Sequence, residues 1–376
     1  MSNHAHVIAG RLAEDAFWND AAVVKLLPGG NEYTGTKGVP EHHLLFATSG
    51  TSGSPKWIAI SKEALAASAR AVNTCLQVDA ESAWGLGLPV HHVGGFGVVA
   101  RARAAGCALE VFGGKWDAAG FSAWLEKRRV THTSLVATQV HDLVAAQCRA
   151  PNALVAVVIG GGRLDAVAGR AARDLGWPVL ASYGMTEAAS QIATQPPAAL
   201  ELPYDPAPIQ VLPHWRVRAD CNQCLEISGP ALFSGTVRDG VYLPRVGDWH
   251  ATRDRVSVTP LGLVPLGRAD GLVKVAGELV DPAEAEARLN AAATPHGSRI
   301  AVVAVPDTRL GMRLELVAER SVPPDLLDAA LRTYNAEVPR SQRIDAALFV
   351  EELPRGDLGK IQRGRLDEIV RQVCGG

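Results

Sequence analysis

Residues 46–61 read FATSGTSGSPKWIAIS, a run of glycines and hydroxyl side chains closed by a lysine and set between two apolar stretches. Glycines let successive backbone N–H groups converge on one anion, hydroxyls add donors, and a lysine adds charge. Thr48, Ser49, Gly50, Thr51, Ser52, Gly53 and Lys56 therefore form a candidate phosphate loop. It is not a Walker A loop, because Lys56 follows Pro55 where that pattern needs glycine. The bland alternative is a flexible surface hairpin.

Four later segments carry further chemistry. SYGMTEAASQ (182–191) places a tyrosine, a threonine and Glu187 just after an apolar strand. The carboxyl end of a parallel strand is where open α/β sheets bind ligands. VGDWHATRD (246–254) offers Asp248 in a turn. GRADGLVKVAGELVDPAEAEARL (267–289) joins Arg268, Asp270 and Lys274 to Gly277 and a proline-started helix, and RGDLGKIQRGRL (355–366) holds Lys360 behind a glycine. Each alone has a plainer reading, as a solvated loop carboxylate, a linker or a basic face.

The elements that must position these residues alternate. Strand-like LLFA (44–47) and WIAI (57–60) flank the loop, and Ser61 is placed to cap a helix over Lys62–Leu76. Strands follow at 84–88, 108–112, 132–136, 153–160 and 177–182. Between them lie an apolar stretch near 95–105 and helical patterns near 117–128, 138–148 and 165–175. Such alternation predicts an α/β fold with mostly parallel sheets flanked by helices. Beyond residue 205 the chain turns strand- and turn-rich, predicting a β-rich subdomain. A small α+β domain is predicted from VKVA onward, with a helix from Pro282, strands RIAVVAV and LELVAE, a helix near 324–337, strand ALFVEEL and a last helix from about 361. The boundary falls at Gly267–Gly271, giving a large domain over 1–268 and a small mobile one over 269–376.

Composition narrows the function. The chain has 376 residues, 47% of them hydrophobic and 20% charged, and a formal net charge of −2. That balance favours neither a nucleic-acid nor an anionic-membrane partner. No apolar run reaches the roughly 18–20 residues that span a bilayer. The first residues, MSNHAHVIAGRLAEDAF, lack the pattern of a signal peptide. Six cysteines make no disulfide framework, and Cys221 and Cys224 read as a plain turn. The expectation is a soluble cytoplasmic protein acting on small molecules.

Taken in order, the motifs resemble the adenylate-forming superfamily, which includes acyl- and aryl-CoA synthetases, luciferases and the adenylation domains of peptide synthetases. The resemblance runs from about residue 44 to the end. Within it, four stretches look like the o-succinylbenzoate–CoA ligases of menaquinone biosynthesis: LPVHHVGGFGVVARARAAG (88–106), SLVATQV (134–140), SYGMTEAASQIAT (182–194) and WHATRDR (249–255). Two departures stand out. Family members usually carry a longer segment before the phosphate loop, so the resemblance implies that most of the first subdomain is missing or vestigial in the sequence given. His91 stands where an aromatic residue commonly precedes the family histidine, matched by His92.

The resemblance implies an enzyme that joins a carboxylate to the α-phosphate of ATP, releases pyrophosphate, and passes the acyl group to coenzyme A. Thr48 to Gly53 and Lys56 would hold the β- and γ-phosphates. Thr186 would bond the α-phosphate and Glu187 would hold Mg²⁺. Gly160, Gly161, Gly162, Ser182 and Tyr183 would line the adenine slot, and Asp248 with Arg268 would take the ribose. Lys360 would reach the reacting oxygens, Asp270 would be a hinge, and Lys274 and Gly277 would border the coenzyme A tunnel. His92, Arg101, Gln139, Ser190 and Gln191 are candidates for the acyl pocket, with Arg101 alternatively pairing a core carboxylate. Other aryl or medium-chain acids, and a nucleotide-binding protein without turnover, remain as alternatives; a homodimer is a further expectation.

Overall fold

The computed structural model describes residues 2–27, 32–34, 36–48, 56–294, 298–345, 347–357 and 359–374. The chain divides into two compact units. The larger comprises Met1–Arg218, Glu226–Thr252 and Val258–Val264; the smaller comprises Ala219–Leu225, Arg253–Ser257 and Pro265–Gly376.

Two six-stranded sheets organise the larger unit. One runs in the order Ser190–Thr194, Val179–Met185, Ala156–Gly160, His132–Val136, Ala83–Leu86, Ala108–Val111. Its neighbours are parallel except for Ser190–Thr194, which returns antiparallel to Val179–Met185. His132–Val136 is buried along its whole length, as a strand covered on both faces must be. Three helices that follow strands start on side-chain caps. Ser61 Oγ accepts the Ala64 N–H at 3.0 Å, Asp117 accepts that of Gly120 at 2.6 Å, and Asp165 accepts that of Ala168 at 2.8 Å. The apolar stretch near 95–105 is the helix Val93–Ala105, which packs against Lys62–Leu76.

The strands flanking the candidate phosphate loop lie elsewhere. His43–Thr48 and Lys56–Ser61 pair antiparallel, with Thr48 opposite Lys56, in the second sheet. The pattern of alternation placed them with the parallel strands. Residues 49–55 are too few for a parallel crossover, which needs a dozen or more, so the two strands can only form a hairpin. Gly235–Arg238 and Val24–Leu26 extend this sheet on either side.

The smaller unit is α+β. Ile300–Asp307 pairs antiparallel with Gly311–Glu319, which pairs parallel with Ala347–Val350. Alternate residues face opposite sides, as in any strand. Ile300 and Val302 pack with Leu289 and Leu327, whereas Ala301, Val303 and Val317 pack with Leu366 and Val370. Cys221 and Cys224 are free thiols in a turn where the Asp220 side chain accepts the Asn222 and Cys224 N–H groups. Among the described residues no helix is long and apolar enough to cross a membrane.

Candidate functional site

The loop lysine meets the TEA carboxylate. Lys56 Nζ lies 3.4 Å from Glu187 Oε1, with the two side chains 26% and 20% exposed. Lys56 leaves the hairpin at its last paired position, and Thr48 opposite donates its hydroxyl to the Lys56 carbonyl at 3.2 Å. Ser49, Gly50, Thr51, Ser52 and Gly53 lie outside the described residues. Among the described residues Lys56 bonds Oε1 of Glu187, and no hydrogen-bond partner is seen on Oε2. One carboxylate oxygen together with substrate phosphates suits Mg²⁺, which keeps several of its bound waters. The residues present therefore fit the ion.

Glu187 sits on a turn whose backbone is unusual. Thr186–Ala188 is a single 3₁₀ turn, followed by Ala189 at φ 48° and Ser190 at φ 105°. Non-glycine residues rarely adopt such angles, and they persist where the surroundings over-determine them. The surroundings are visible at Gly184 on the preceding strand. A Cβ there would stand 1.7 Å from the Ser190 carbonyl oxygen, so only glycine lets the two strands of this hairpin close. The Ser182 hydroxyl donates to the Ile159 carbonyl at 2.7 Å, tying this strand to Ala156–Gly160. Tyr183 follows it. Gly160 ends the neighbouring strand, and Cβ atoms added at Gly160 or Gly162 would meet nothing within 4 Å. That leaves an open strip beside the turn.

Beyond the turn lies a buried cation. Arg101 is 2% exposed on Val93–Ala105, and its guanidinium donates to Ser134 Oγ at 3.0 Å and Ser190 Oγ at 3.3 Å while standing 5.2 Å from the Trp84 ring centroid. Gly97, one turn earlier, makes the room: a Cβ there would be 3.1 Å from Arg101 Nη2 and 3.4 Å from Ser190 Oγ. Among the described residues no carboxylate pairs with it, against the alternative of a core ion pair. Burial pushes its pKa down to about 10, which still leaves it charged at neutral pH. Gln191, next in sequence to Ser190, is buried, with its side-chain oxygen lacking a partner among the described residues. Gln139 is held by the backbone, accepting the Val136 N–H at 3.1 Å and donating to the Gly87 carbonyl at 3.5 Å. His92 is the residue before the first turn of the arginine's helix.

In the smaller unit the residues gather round one arginine. Arg268 grips both Asp270 carboxylate oxygens, at 2.8 and 2.9 Å, and reaches Asp254 Oδ1 at 3.0 Å. The Arg268 side chain holds Asp270 below the usual carboxylate range. Lys360 lies in the same electrostatic neighbourhood. Burial lowers its pKa, Asp254 raises it and Arg268 lowers it again. A short loop presents this lysine, closed by Gly356 N–H to the Lys360 carbonyl at 2.9 Å and by Gly359 at φ 69°. Gly277 turns the hairpin Val273–Val275/Glu278–Val280 at φ 91° with open space where a side chain would stand, and Lys274 is exposed on its first strand.

The family described as AMP-binding enzyme matches residues 21–218. The chain belongs to that family. The 2-succinylbenzoate–CoA ligase of Salmonella typhimurium is 30% identical over 329 residues, which take in 87% of this chain and 69% of that protein. A probable 2-succinylbenzoate–CoA ligase of Mycobacterium tuberculosis is 30% identical over 352 residues, 88% of this chain and 85% of that one. Among solved structures, an E. coli MenE variant with bound OSB-AMS superposes at a TM-score of 0.74 and 27% identity, covering 92% of this chain and 72% of that one. The Bacillus subtilis o-succinylbenzoate CoA synthetase, solved with its acyl-adenylate intermediate, shares the fold at a TM-score of 0.73 and 22% identity.

For this AMP-binding enzyme the sequence left several site residues unnamed. Ser134 and Trp84 complete the surroundings of Arg101, and Ser134 lies inside the quoted stretch SLVATQV. His250, inside WHATRDR, stands edge-on to Phe233 at 4.9 Å and responds to Glu187, Lys56 and Arg245, although burial is the larger influence and lowers its pKa. Asp254 links Arg268 to Lys360. Nothing in spacing alone distinguishes these side chains, since each acts on a partner distant in sequence.

Proposed function

We propose that this protein is an ATP-dependent acid–CoA ligase whose acid is o-succinylbenzoate. The observation that supports the reading best is Arg101, a buried guanidinium bonded to two neutral hydroxyls and, among the described residues, to no carboxylate. An uncompensated buried charge is strongly unfavourable, so such a site is built for an anion that arrives with the substrate. o-Succinylbenzoate has two carboxylates: one is activated, and Arg101 holds the other out of reaction with Ser190 and Gln191 beside it. A monocarboxylic acid would leave the guanidinium bare.

In the first half-reaction a carboxylate oxygen attacks the α-phosphorus and the bond to the bridging oxygen of pyrophosphate breaks. Two anions must approach, and fixed positive charge offsets their repulsion. Lys56 and the loop from Thr48 to Gly53 bind the β- and γ-phosphates, with Lys56 exchanging its contact with Glu187 for phosphate oxygen. Thr186 donates to the α-phosphate, and Lys360 neutralises the reacting oxygens. Glu187 would hold Mg²⁺, which supplies further neutralisation of the triphosphate. Adenine lies on the open strip of Gly160, Gly161 and Gly162 with Ser182 and Tyr183, and Asp248 accepts the ribose hydroxyls with Arg268 assisting. In the second half-reaction the thiol sulfur of coenzyme A attacks the acyl carbon, the bond to phosphate oxygen breaks, and AMP leaves. Lys274 and Gly277 line the thiol's approach. His92 stands at the acyl group. Asp270 is the hinge between 1–268 and 269–376 that lets one segment serve each half-reaction in turn.

A panel of acids tests the assignment. Pyrophosphate release is followed with and without coenzyme A, and o-succinylbenzoate should give the highest kcat/KM. A benzoate or medium-chain acid preferred tenfold over it would overturn the substrate, and silence with every acid would leave a nucleotide-binding protein.

A further inference from the structure

One serine–histidine pair plays no part in the chemistry proposed so far. His43 opens the strand His43–Thr48 and is buried, and its Nε2 lies 2.7 Å from the hydroxyl oxygen of Ser234. Its Nδ1 lies 2.7 Å from the Glu41 carbonyl oxygen. A carbonyl can only accept, so Nδ1 carries the proton of the neutral ring and Nε2 keeps a lone pair. The Ser234 hydroxyl is therefore the donor, its proton aimed at a base. The backbone is shaped to give this tautomer. His42 stands between Glu41 and His43 at φ 58°, in the left-handed region that non-glycine residues seldom adopt. The turn it makes brings the Glu41 carbonyl back onto the ring two residues later. Such angles persist where the surrounding structure over-determines them, and they concentrate at functional sites.

The serine is held as firmly. Its N–H donates to the Ala59 carbonyl at 2.8 Å, and its carbonyl accepts the Arg245 N–H at 2.8 Å and the Tyr242 hydroxyl at 3.1 Å. Gly235 follows, where a Cβ would stand 2.5 Å from the Leu243 carbonyl oxygen, so only glycine lets the next strand close beside it. With its backbone engaged on both sides, Ser234 is partly exposed and presents its hydroxyl to the base. The Arg245 side chain donates through Nε to the Phe233 carbonyl at 3.0 Å, which puts a guanidinium on the residue before the serine.

We propose that Ser234 is a nucleophile activated by His43, and that the chain carries a second activity independent of ATP, the hydrolysis of activated carboxylic esters. A hydroxyl bonded to a base that a third group orients is the arrangement by which serine becomes nucleophilic, and here the Glu41 carbonyl does the orienting. Ser234 Oγ bonds to the ester carbonyl carbon as its proton passes to His43 Nε2. The bond from that carbon to the alcohol oxygen breaks, and the alcohol leaves with the proton. Water then attacks the acyl-serine and gives a proton to Nε2; the bond to Oγ breaks, the acid leaves and Oγ takes the proton back. A carbonyl carries no full charge and stabilises imidazolium less than a carboxylate would. Esters with good leaving groups, such as aryl esters, are therefore the class that fits. The charge of Arg245 favours the oxyanion.

The test contains neither ATP nor coenzyme A, so its result is independent of the ligase reading. Wild-type protein is treated with an alkyl fluorophosphonate and the adduct is located by peptide mass spectrometry, while p-nitrophenyl acetate hydrolysis is followed in parallel. Wild type should carry the phosphonyl group on Ser234, and Ser234→Ala should lose adduct and ester turnover together. His43→Gln keeps a donor for the Glu41 carbonyl and an acceptor for the serine but removes the base. Its labelling should slow about 10²-fold or more with the melting temperature unchanged. Three results would each overturn the proposal: no adduct on Ser234 in wild type, labelling of His43→Gln at the wild-type rate, or ester turnover that survives Ser234→Ala. If His43→Gln fails to fold, the wild-type adduct and Ser234→Ala decide the matter.

Discussion

Lys56 and Glu187 are partly exposed and held to each other by a single contact at 3.4 Å. Arg101, by contrast, is 2% exposed and locked by two serines, a tryptophan face and a glycine that makes room for it. The first arrangement is cheap to form and gains its value from what binds. Under the proposed roles its side chains stay partly solvated until phosphate and metal bind, so removing one should change catalysis and leave the fold alone. The second carries its electrostatic burden permanently, and on the proposed reading its residues answer for both packing and selectivity. On the proposed reading, exposure separates the residues that serve the common chemistry from those that choose the acid.

The largest expected effect lies in the smaller unit and sets the scale. Lys360→Ala should reduce adenylate formation on the order of 10³-fold, at the upper end for one electrostatic group, yet still pass a supplied acyl-adenylate to coenzyme A. Gly277→Leu should do the reverse, releasing pyrophosphate but transferring poorly, because a branched side chain would occupy the open space at its turn. Both half-reactions slowing equally in both variants would remove the division of labour.

Glu187→Gln comes next, with an expected loss of about 10²-fold in pyrophosphate release. Raised Mg²⁺ should recover part of it, and the melting temperature should not move. Wild-type turnover that is indifferent to Mg²⁺ would reduce Glu187 to a solvated loop residue. Arg101→Lys then breaks the comparison from the buried side. The point charge survives but the fork to Ser134 and Ser190 does not. We expect kcat/KM for o-succinylbenzoate to fall about tenfold or more, with monocarboxylic acids unaffected or improved and the melting temperature lowered. An equal fall for both acid classes would mean that Arg101 only supports the core.

The smallest effect concerns pH. In its proposed role Lys360 acts protonated, and burial lowers its pKa below the ordinary 10.5. Adenylation should therefore be intact at neutral pH and be lost, as pH rises, before an ordinary lysine would titrate. Asp254 works in the opposite direction and raises that pKa. Asp254→Asn should shift the alkaline limb to lower pH; a shift upward, or none, would separate Asp254 from the lysine.

Much of this was legible in the chain itself. Ser61 as a cap, the buried strand HTSLV and the two-faced strand from Ile300 follow from local pattern, because a cap or a strand's burial is written in neighbouring residues. The glycine- and hydroxyl-rich loop suggests phosphate chemistry by the same local logic, and that role remains a proposal. The sheet that holds the loop did not show. Alternation cannot say which strands pair, and only the short connection, once the pairing is seen, explains the hairpin.

Sequence alone determined the inventory: which donors, carboxylates and cations exist, in which order, and hence the family they resemble. Tertiary structure decided which of them lack a partner. Arg101 reads identically as a core ion pair or as a substrate anchor until the groups around it are known, and those come from positions 84, 134 and 190. Asp254 reads as one more charge in a strand until Arg268 and Lys360 are seen beside it. A charge is defined by what surrounds it in space, and the chain brings those surroundings together only by folding.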